Sequence, residues 1–315
     1  MVKARDGYRS RNVRVTGATG GSTGATSRRR AGAGAGGVSL IGILVFVAIS
    51  FLGGGGVDLG SLGLDATSLG AGSSGLTSTD LPDLSDEDLS EWSAVFDDVQ
   101  NTWITIFDSA GLEYEDSILT IFNGSTATGG CGNVPAQVGP FYCPADNGVY
   151  FDPGFFRELA ARFDAPGDFA IAYVIAHEIG HHVQNLTGVS DQVRAQQQGQ
   201  SQAVQNALLV RLELQADCLA GIWAFQASQR PPTLNGNDNL LYLEVGDIAE
   251  GLQAAAAVGD DNIQEQAGVA ITPHTWTHGS AEQREAWLRA GLESGNPSVC
   301  SATFNEDVPA TEIMP

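Results

Sequence analysis

The sequence predicts an α+β domain that is mainly helical, contains a small β-sheet and follows one transmembrane helix. Three observations support this prediction. Much of the stretch from residue 85 to residue 294 repeats apolar side chains every three to four positions, as amphipathic helices do. Between residues 112 and 156 the apolar runs are short and separated by glycine, proline and asparagine, which is typical of a small sheet. Residues 38–57 carry no charge and are dense in apolar side chains.

The first 37 residues form a basic segment that differs in composition from the rest of the chain. They hold eight Lys or Arg against a single acid, Asp6, and almost no large apolar residue. Such a composition cannot build a core, so residues 1–37 are expected to form a disordered arm. The rest of the chain holds 7 basic and 36 acidic residues. Because phosphate would be repelled, nucleic acid is excluded as its partner.

Residues 38–57, VSLIGILVFVAISFLGGGGV, are predicted to anchor the chain in a membrane. As a helix they would span about 30 Å, the thickness of a bilayer core. A cleaved signal peptide or a buried core helix is the alternative, but no clear small-residue cleavage site is present. Because Arg28–Arg30 precede the span and acids follow it, the positive-inside rule places the N-terminus in the cytoplasm and the domain outside. The predicted localisation is the cell membrane, with a single pass.

The ordered domain is predicted to begin at Ser85. Residues 58–84 consist largely of Gly, Ser, Thr, Asp and Leu without a sustained period, which favours a flexible linker. Residues 85–107 then supply an N-cap serine, acids in the first turn and aromatic residues at helical spacing. We expect one domain over residues 85–305, followed by a C-terminal tail at residues 306–315.

All four cysteines lie after the predicted span, as expected for an exported domain that forms disulfides. Four cysteines allow three connectivities. We favour Cys131–Cys143, which closes a short loop, and Cys218–Cys300, which ties the C-terminal end of the domain to a central helix. No C-x-x-C pair is present, so a cysteine zinc site has little support.

His177 and His181 lie four residues apart on a helix predicted at residues 168–187. This spacing places both imidazoles on one helix face, where they can bind the same ion. Glu178 lies about 100° round the helix and can act on a water at that ion without ligating it. The pattern is H-E-x-x-H, in which the histidines bind zinc and the glutamate is a general base. His182 points away from this face and is expected at the surface or beside the site.

A catalytic zinc needs a third protein ligand. The elongated zinc motif has a histidine six residues after His181, but that position is Thr187. Glu213 and Asp217 lie four apart in a largely apolar helical stretch, where buried carboxylates need a partner. We expect Glu213 to complete a His/His/Glu zinc site and Asp217 to accept a hydrogen bond from a ligating histidine. The alternative third ligands are His274, His278 and a free Cys218.

The chain resembles a known family, the bacterial neutral zinc metallopeptidases, which are single-pass membrane proteins with H-E-x-x-H and E-x-x-x-D helices of the gluzincin type. The resemblance covers nearly the whole chain. It rests on the segments KARDGYRSRNV, CGNVPAQVGPFYCPADNGVYFDPGFF, AHEIGHHVQNLTG, LELQADCLAGIW, AAAAVGDDNIQEQ and THGSAEQREAWLRAGLESG. It implies a zincin-like metallopeptidase domain. The metal ligands that it implies are His177, His181 and Glu213. It also implies Glu178 as the base and Asp217 as a residue that supports a ligand.

The predicted function is hydrolysis of peptide bonds in a peptide or protein substrate. Zinc is expected to lower the pKa of a bound water, and Glu178 is expected to remove the proton. A further donor must stabilise the oxyanion, and His278 or Tyr242 is the candidate. One alternative function is a membrane-anchored binding or scaffolding protein with a structural zinc site. Another is a metal-dependent amidase acting on cell-wall peptide. The sequence indicates no particular oligomeric state.

Overall fold

The protein is described by a computed structural model that covers residues 2–16, 84–163, 167–234 and 239–315. Within these ranges the chain is α+β, mostly helical, with small sheets. The predicted span at residues 38–57 and the predicted linker, apart from Leu84, lie outside the described residues. None of the helices in the described ranges is both long and apolar enough to cross a membrane.

Eight α-helices dominate the described part of the chain. They are α1 (Asp86–Ala110), α2 (Gly154–Phe163), α3 (Asp168–Leu186), α4 (Val189–Gln197), α5 (Gln202–Ser228), α6 (Asp247–Ala257), α7 (Asp260–Gln266) and α8 (Ala281–Ser294). Short 3-10 helices lie at Ala136–Val138, Pro273–Thr275 and Pro297–Phe304.

The strands form one four-stranded sheet and two two-stranded ribbons within the described residues. They are β1 (Lys3–Ala4), β2 (Val13–Thr16), β3 (Ile118–Phe122), β4 (Ser125–Ala127), β5 (Asn133–Pro135), β6 (Phe141–Cys143), β7 (Gly148–Phe151) and β8 (Leu241–Tyr242). The larger sheet has the order β2-β3-β7-β6, in which β2, β3 and β7 are parallel and β6 is antiparallel to β7. β1 pairs with β8 and β4 with β5, both antiparallel. The predicted small sheet is confirmed.

Residues 2–16 are ordered, so the prediction of a disordered arm over residues 1–37 is wrong for this part. β2 continues the sheet by pairing in parallel with β3. The hydroxyls of Tyr8 and Ser10 both donate to the carboxylate of Asp97 in α1, at 2.6 and 2.7 Å. The segment lacks the apolar residues for a core of its own, but it does not need one, because the domain supplies its hydrogen-bond partners.

Helix α1 begins where its sequence predicts. Ser85 caps it, with the Ser85 hydroxyl and the Asp88 carboxylate each accepting the other residue's backbone N–H, and Gly111 ends it in a left-handed conformation at φ 70°. The predicted aromatic and apolar stripe is buried. Its members are Trp92, Phe96, Val99 and Trp103.

The C-terminal residues belong to the domain, so the predicted boundary and the tail at residues 306–315 are wrong. The guanidinium of Arg211, which is buried, donates to the backbone carbonyl oxygen of Val308 as well as to carbonyls earlier in the segment. The buried amide of Gln283 donates to the carbonyl oxygen of Ile313 at 3.1 Å. Ile313 itself is 2% exposed. Side chains of α5 and α8 thus hold the chain almost to its last residue.

Two disulfides join the predicted pairs, Cys131–Cys143 and Cys218–Cys300. The first links the segment just before β5 to the end of β6. The second ties α5 to the 3-10 helix at Pro297–Phe304. Both predicted connectivities are confirmed.

Helices α5 and α8 cross so closely that two positions admit only glycine. A Cβ atom built on Gly291 would lie 2.0 Å from the carbonyl oxygen of Cys218. One built on Gly221 would lie 2.1 Å from the carbonyl oxygen of Leu288. Because both obstacles are helix backbone, neither can turn aside as a side chain could. The contact fixes where the side chains of α8 meet α5.

We expect Gly291→Ala to destabilise the protein, although the same change in an ordinary helix stabilises it by about 0.5–1 kcal/mol. Forcing a methyl group into a packed contact costs about 1–3 kcal/mol, and here it must push two helices apart. Urea unfolding followed by circular dichroism measures the difference. The control is Glu293→Ala, which is exposed on the same helix and should change stability by less than about 0.5 kcal/mol. An unchanged or raised midpoint for Gly291→Ala would contradict the close crossing.

Candidate metal centre

Two long helices, α3 and α5, bring the candidate metal ligands together. They run antiparallel, since Tyr173 of α3 contacts Asp217 of α5 while His181, farther along α3, contacts Glu213, farther back in α5. Gly180 lies where the two helices pack closely, because a Cβ atom there would come 3.0 Å from a backbone carbonyl oxygen of α5. The glycine within the H-E-x-x-H segment therefore lets the two helices approach closely enough to share a ligand set.

His177, His181 and Glu213 converge on one point. The Nε2 atom of His177 lies 3.1 Å from Glu213 Oε2, and Nε2 of His181 lies 3.4 Å from Glu213 Oε1. One ligand atom from each of the three residues lies within 4.8 Å of the others. Bonds of about 2.0–2.1 Å to a tetrahedral zinc separate ligand atoms by about 3.3 Å. The three side chains therefore match both the donor set and the spacing that a catalytic zinc requires, and they could hold this ion.

The other third-ligand candidates lie outside this group. Cys218 is bonded to Cys300 and has no free thiol. His274 is exposed in its 3-10 helix. His278 lines the same pocket as the three residues but is not one of them.

Charges within the centre shift the pKa values of its members. Burial alone would lower the pKa of His177, yet the adjacent carboxylates of Asp217 and Glu213 raise it to about 10. Burial would also lower the pKa of His181, but Glu213 raises it. Burial would raise the pKa of Glu213. The imidazoles of His181, which has the larger effect, and of His177 nevertheless hold this pKa well below the ordinary value. Since zinc binds the neutral imidazole, zinc binding here must displace protons.

Asp217 fixes the orientation of His177. Its Oδ1 atom accepts a hydrogen bond from His177 Nδ1 at 2.8 Å and another from the Tyr173 hydroxyl at 2.6 Å. Burial would raise the pKa of Asp217, but the Arg284 guanidinium, followed by His177, lowers it, so the carboxylate stays charged. Because one proton of His177 is held at Nδ1 by Asp217, Nε2, which faces Glu213 at 3.1 Å, is the nitrogen that can give up its proton to bind a metal. The predicted hydrogen bond from a ligating histidine to Asp217 is present.

Glu178 and His278 line the pocket in which the three candidate ligands lie. Glu178 is buried, and burial raises the pKa of its carboxyl although His181 and His177 oppose the shift. His278 is buried as well. The other candidate donor, Tyr242, lies in β8 opposite Lys3 and is not among the residues that line this pocket.

Asp260, the first residue of α7, holds His278 in place. Its Oδ2 atom accepts hydrogen bonds from the backbone N–H groups of Thr277, His278 and Gly279 at 2.8, 2.7 and 3.0 Å. Its Oδ1 atom lies 3.3 Å from His278 Nδ1. A carboxylate bound by three consecutive amides cannot rotate freely, so it also orients the imidazole.

His182 is an interior residue, so the expectation of a surface position is wrong, whereas its bond to Tyr142, a residue of the pocket wall, places it beside the site. It is fully buried between α3 and the sheet. Its Nε2 donates to the carbonyl oxygen of Glu115 at 2.6 Å, and its Nδ1 accepts from the Tyr142 hydroxyl at 2.9 Å. Both ring nitrogens are occupied, which leaves none for a metal.

Sequence reasoning missed three residues of the centre, Tyr173, Asp260 and Arg284. Tyr173 lies four residues before His177, on the same helix face, so its place beside the site could have been found from spacing alone. Arg284 and Asp260 carry no such local signal, because their partners lie 67 and 17–19 residues away along the chain.

An α+β fold with an H-E-x-x-H helix packed against a helix that supplies a glutamate defines a protein with a candidate zinc centre of the His/His/Glu kind. The sequence profile of the family described as "Putative neutral zinc metallopeptidase" matches residues 2–304. The chain belongs to this family, as its motifs indicated.

Relatives of the chain occur in distant bacteria. It is 42% identical to the uncharacterized protein YpfJ of Escherichia coli K12 over 216 residues. This alignment covers 69% of this chain and 71% of that protein. The chain is 49% identical to the uncharacterized protein Rv2575 of Mycobacterium tuberculosis H37Rv over 188 residues. This alignment covers 59% of this chain and 62% of that protein. No solved structure matches the chain significantly.

We expect adjacent histidines to behave oppositely when each is replaced by glutamine. His181→Gln should weaken zinc binding by more than about 100-fold, because losing a residue that merely supports a ligand already costs about 10–100-fold. His182→Gln should leave the zinc affinity within about twofold and instead lower stability by about 1–3 kcal/mol, because it disturbs two buried hydrogen bonds. Competition with a chromophoric chelator measures the affinity, and urea unfolding measures the stability. An equal loss of zinc affinity in both variants would contradict this ligand assignment.

Proposed function

We propose that this protein is a zinc-dependent peptidase of the gluzincin type that hydrolyses peptide bonds with Glu178 as general base. The observation that carries the proposal is the convergence of His177, His181 and Glu213 in the pocket that Glu178 also lines. The side chains of His181 and Glu213 are each 12% exposed, so solvent and substrate can reach the ligand set.

When bound, zinc supplies a Lewis acid that acidifies water and polarises a carbonyl group. The three proposed ligands would hold it and leave a fourth position open, as catalytic sites do. Glu178 accepts a proton from the attacking water as the oxygen–carbon bond forms. The carboxyl then gives this proton to the leaving nitrogen as the carbon–nitrogen bond breaks. Burial raises the pKa of this carboxyl, which makes it a stronger base for the first step.

His278 is proposed to stabilise the oxyanion of the tetrahedral intermediate. Its Nδ1 lies 3.0 Å from the Thr277 hydroxyl and can accept a hydrogen bond from it, which keeps the ring proton on Nε2, the nitrogen that can donate to a substrate in the pocket. A donor held in place before the reaction stabilises developing charge without reorganising, which is the principle of an oxyanion hole. The bonds from three backbone amides to Asp260 support this fixed orientation.

The walls of the pocket support a peptide substrate with an apolar residue next to the cleaved bond. Aromatic and aliphatic side chains surround the candidate ligands. They include Tyr142, Phe155, Val174, Leu209, Leu212 and Val258. Burying a large apolar side chain against such walls contributes about 1.5–3 kcal/mol to binding, enough to select among peptides.

The alternatives have less support. A structural zinc site would be closed by a fourth protein ligand, whereas the group found among the described residues has three members. An amidase acting on cell-wall peptide would use the same metal chemistry, and a panel of both substrate types distinguishes it from a peptidase. The two disulfides support an oxidising environment for the domain. Anchoring of the chain in the cell membrane by residues 38–57 stays a prediction.

We expect Glu178→Gln to abolish hydrolysis while zinc stays bound, because the amide cannot accept the proton and is not a ligand. The full chain should lose about 10²–10⁴-fold in turnover of a peptide library, with its zinc content unchanged. Glu282→Gln, the same change at an exposed position, is the control. A Glu178→Gln protein that cleaves as fast as the wild type would refute the assigned base. A zinc-loaded wild type that cleaves nothing would favour the structural site.

His278→Gln should lower kcat by about 10²–10³-fold with little change in KM, because the lost donor acts on the transition state more than on the bound substrate. Asp260→Asn should give a smaller loss of the same kind. His274→Gln, an exposed histidine four residues away, serves as the control and should retain full activity. Steady-state kinetics on one cleaved peptide measure all three variants. An unchanged kcat in His278→Gln would remove this residue from the mechanism.

A further inference from the structure

We propose that Arg284 is a positioning residue of the metal centre, which acts on His177 through Asp217. The proposal rests on the zinc ligands of the proposed function but not on peptide hydrolysis. It extends the centre to a third helix, α8, which carries none of the three proposed ligands.

Arg284 binds Asp217 with two parallel hydrogen bonds. Its Nε donates to Oδ2 at 2.9 Å, and its Nη2 donates to Oδ1 at 3.0 Å. This paired geometry fixes the plane of the carboxylate as well as its position. Oδ1 is the oxygen that accepts the Nδ1 proton of His177. The direction of the guanidinium therefore sets the direction of the bond that orients the histidine.

A closed ring of hydrogen bonds determines that direction. Arg284 Nη2 also donates to the Tyr173 hydroxyl oxygen at 3.0 Å, and that hydroxyl in turn donates to Asp217 Oδ1. Nη1 donates to the carbonyl oxygen of Val258, just after α6, at 3.3 Å. The close crossing of α5 and α8 at Gly221 and Gly291 keeps the two helices at the required separation.

Burial makes the cation necessary. Asp217 is 0% exposed and Arg284 4% exposed, so water cannot take the place of either partner. A carboxylate left in this setting without its cation would be strongly destabilised, or would become protonated and turn a donor toward His177. In either case the imidazole loses the fixed acceptor that keeps Nε2 directed at Glu213. Lysine restores the positive charge but cannot form the two parallel hydrogen bonds of a planar guanidinium, so it should replace arginine only in part.

A second arginine that pairs with a buried aspartate provides a control, although the side chain of this arginine is itself 19% exposed. Arg230 pairs with Asp98, which is also buried and also receives an aromatic donor, Trp223 Nε1 at 2.9 Å. This pair joins α1 to the end of α5 and contacts none of the proposed ligands. It therefore reports the structural cost of leaving a buried aspartate without its arginine.

The experiment compares Arg284→Met, Arg284→Lys and Arg230→Met in the full chain. Zinc affinity is measured by chelator competition, and the visible spectrum of the Co²⁺-loaded protein reports the geometry of the ligands. We expect Arg284→Met to weaken zinc binding by about 10–100-fold and to change the Co²⁺ spectrum, as loss of an outer partner of a ligating histidine does. Arg284→Lys should recover part of the affinity. Arg230→Met should lower stability while both metal readouts stay at their wild-type values.

A double variant tests the route through Asp217. If Arg284 acts only by holding this carboxylate, Arg284→Met should cost little further affinity in an Asp217→Ala background, so the two losses will not add. Should Arg284→Met fail to fold, Arg284→Lys and Tyr173→Phe carry the test, with an expected loss of zinc affinity in each and a changed Co²⁺ spectrum.

A folded Arg284→Met protein with wild-type zinc affinity and Co²⁺ spectrum would overturn the proposal. So would wild-type metal binding in both fallback variants. This outcome differs from failure of the proposed function. A wild type that binds zinc through the three ligands but cleaves no peptide would end the peptidase proposal and leave the role of Arg284 intact.

Discussion

A carboxylate kept charged without water is the constraint on which the rest of this structure depends. Asp217 is completely buried, so every partner that keeps it ionised must come from the protein. Tyr173 and His177 supply hydrogen bonds from α3, and Arg284 supplies the compensating charge from α8. One side chain thereby links three helices and directs a histidine at the metal position. The packing of these three helices therefore also determines the geometry of the candidate site.

The candidate ligands could be predicted from sequence because helix geometry is local. Four-residue spacing places His177 and His181 on one face, and the same rule pairs Glu213 with Asp217. We could also predict that these two pairs meet, because a catalytic zinc needs a third protein ligand and Glu213 is a suitable one. No such rule leads to Arg284, since an arginine with ordinary helical neighbours gives no sign that it will be buried. Its role depends on how α8 crosses α5.

The ends of the domain could not be predicted for a related reason. Composition indicates whether a segment can form a core by itself. Residues 2–16 and 306–315 need no core of their own, because they pack against the rest of the domain. The first segment pairs with β3, and the second receives donors from Arg211 and Gln283. Strand pairing and side-chain bonds to distant carbonyls leave no periodic pattern in the segment that receives them. The disulfides are an exception, because only three pairings were possible.

The pairing of β2 with β3 limits how this chain can be threaded through a lipid bilayer. Two strands that share a hydrogen-bond ladder reside in the same aqueous phase, since a hydrocarbon layer cannot pass between them. While the sheet is complete, the N-terminal strand and the metal centre face the same phase. An odd number of crossings between residues 16 and 118 would divide them. A single crossing of a bilayer by residues 38–57 would place β2 and β3 on opposite sides of it, where they could not pair.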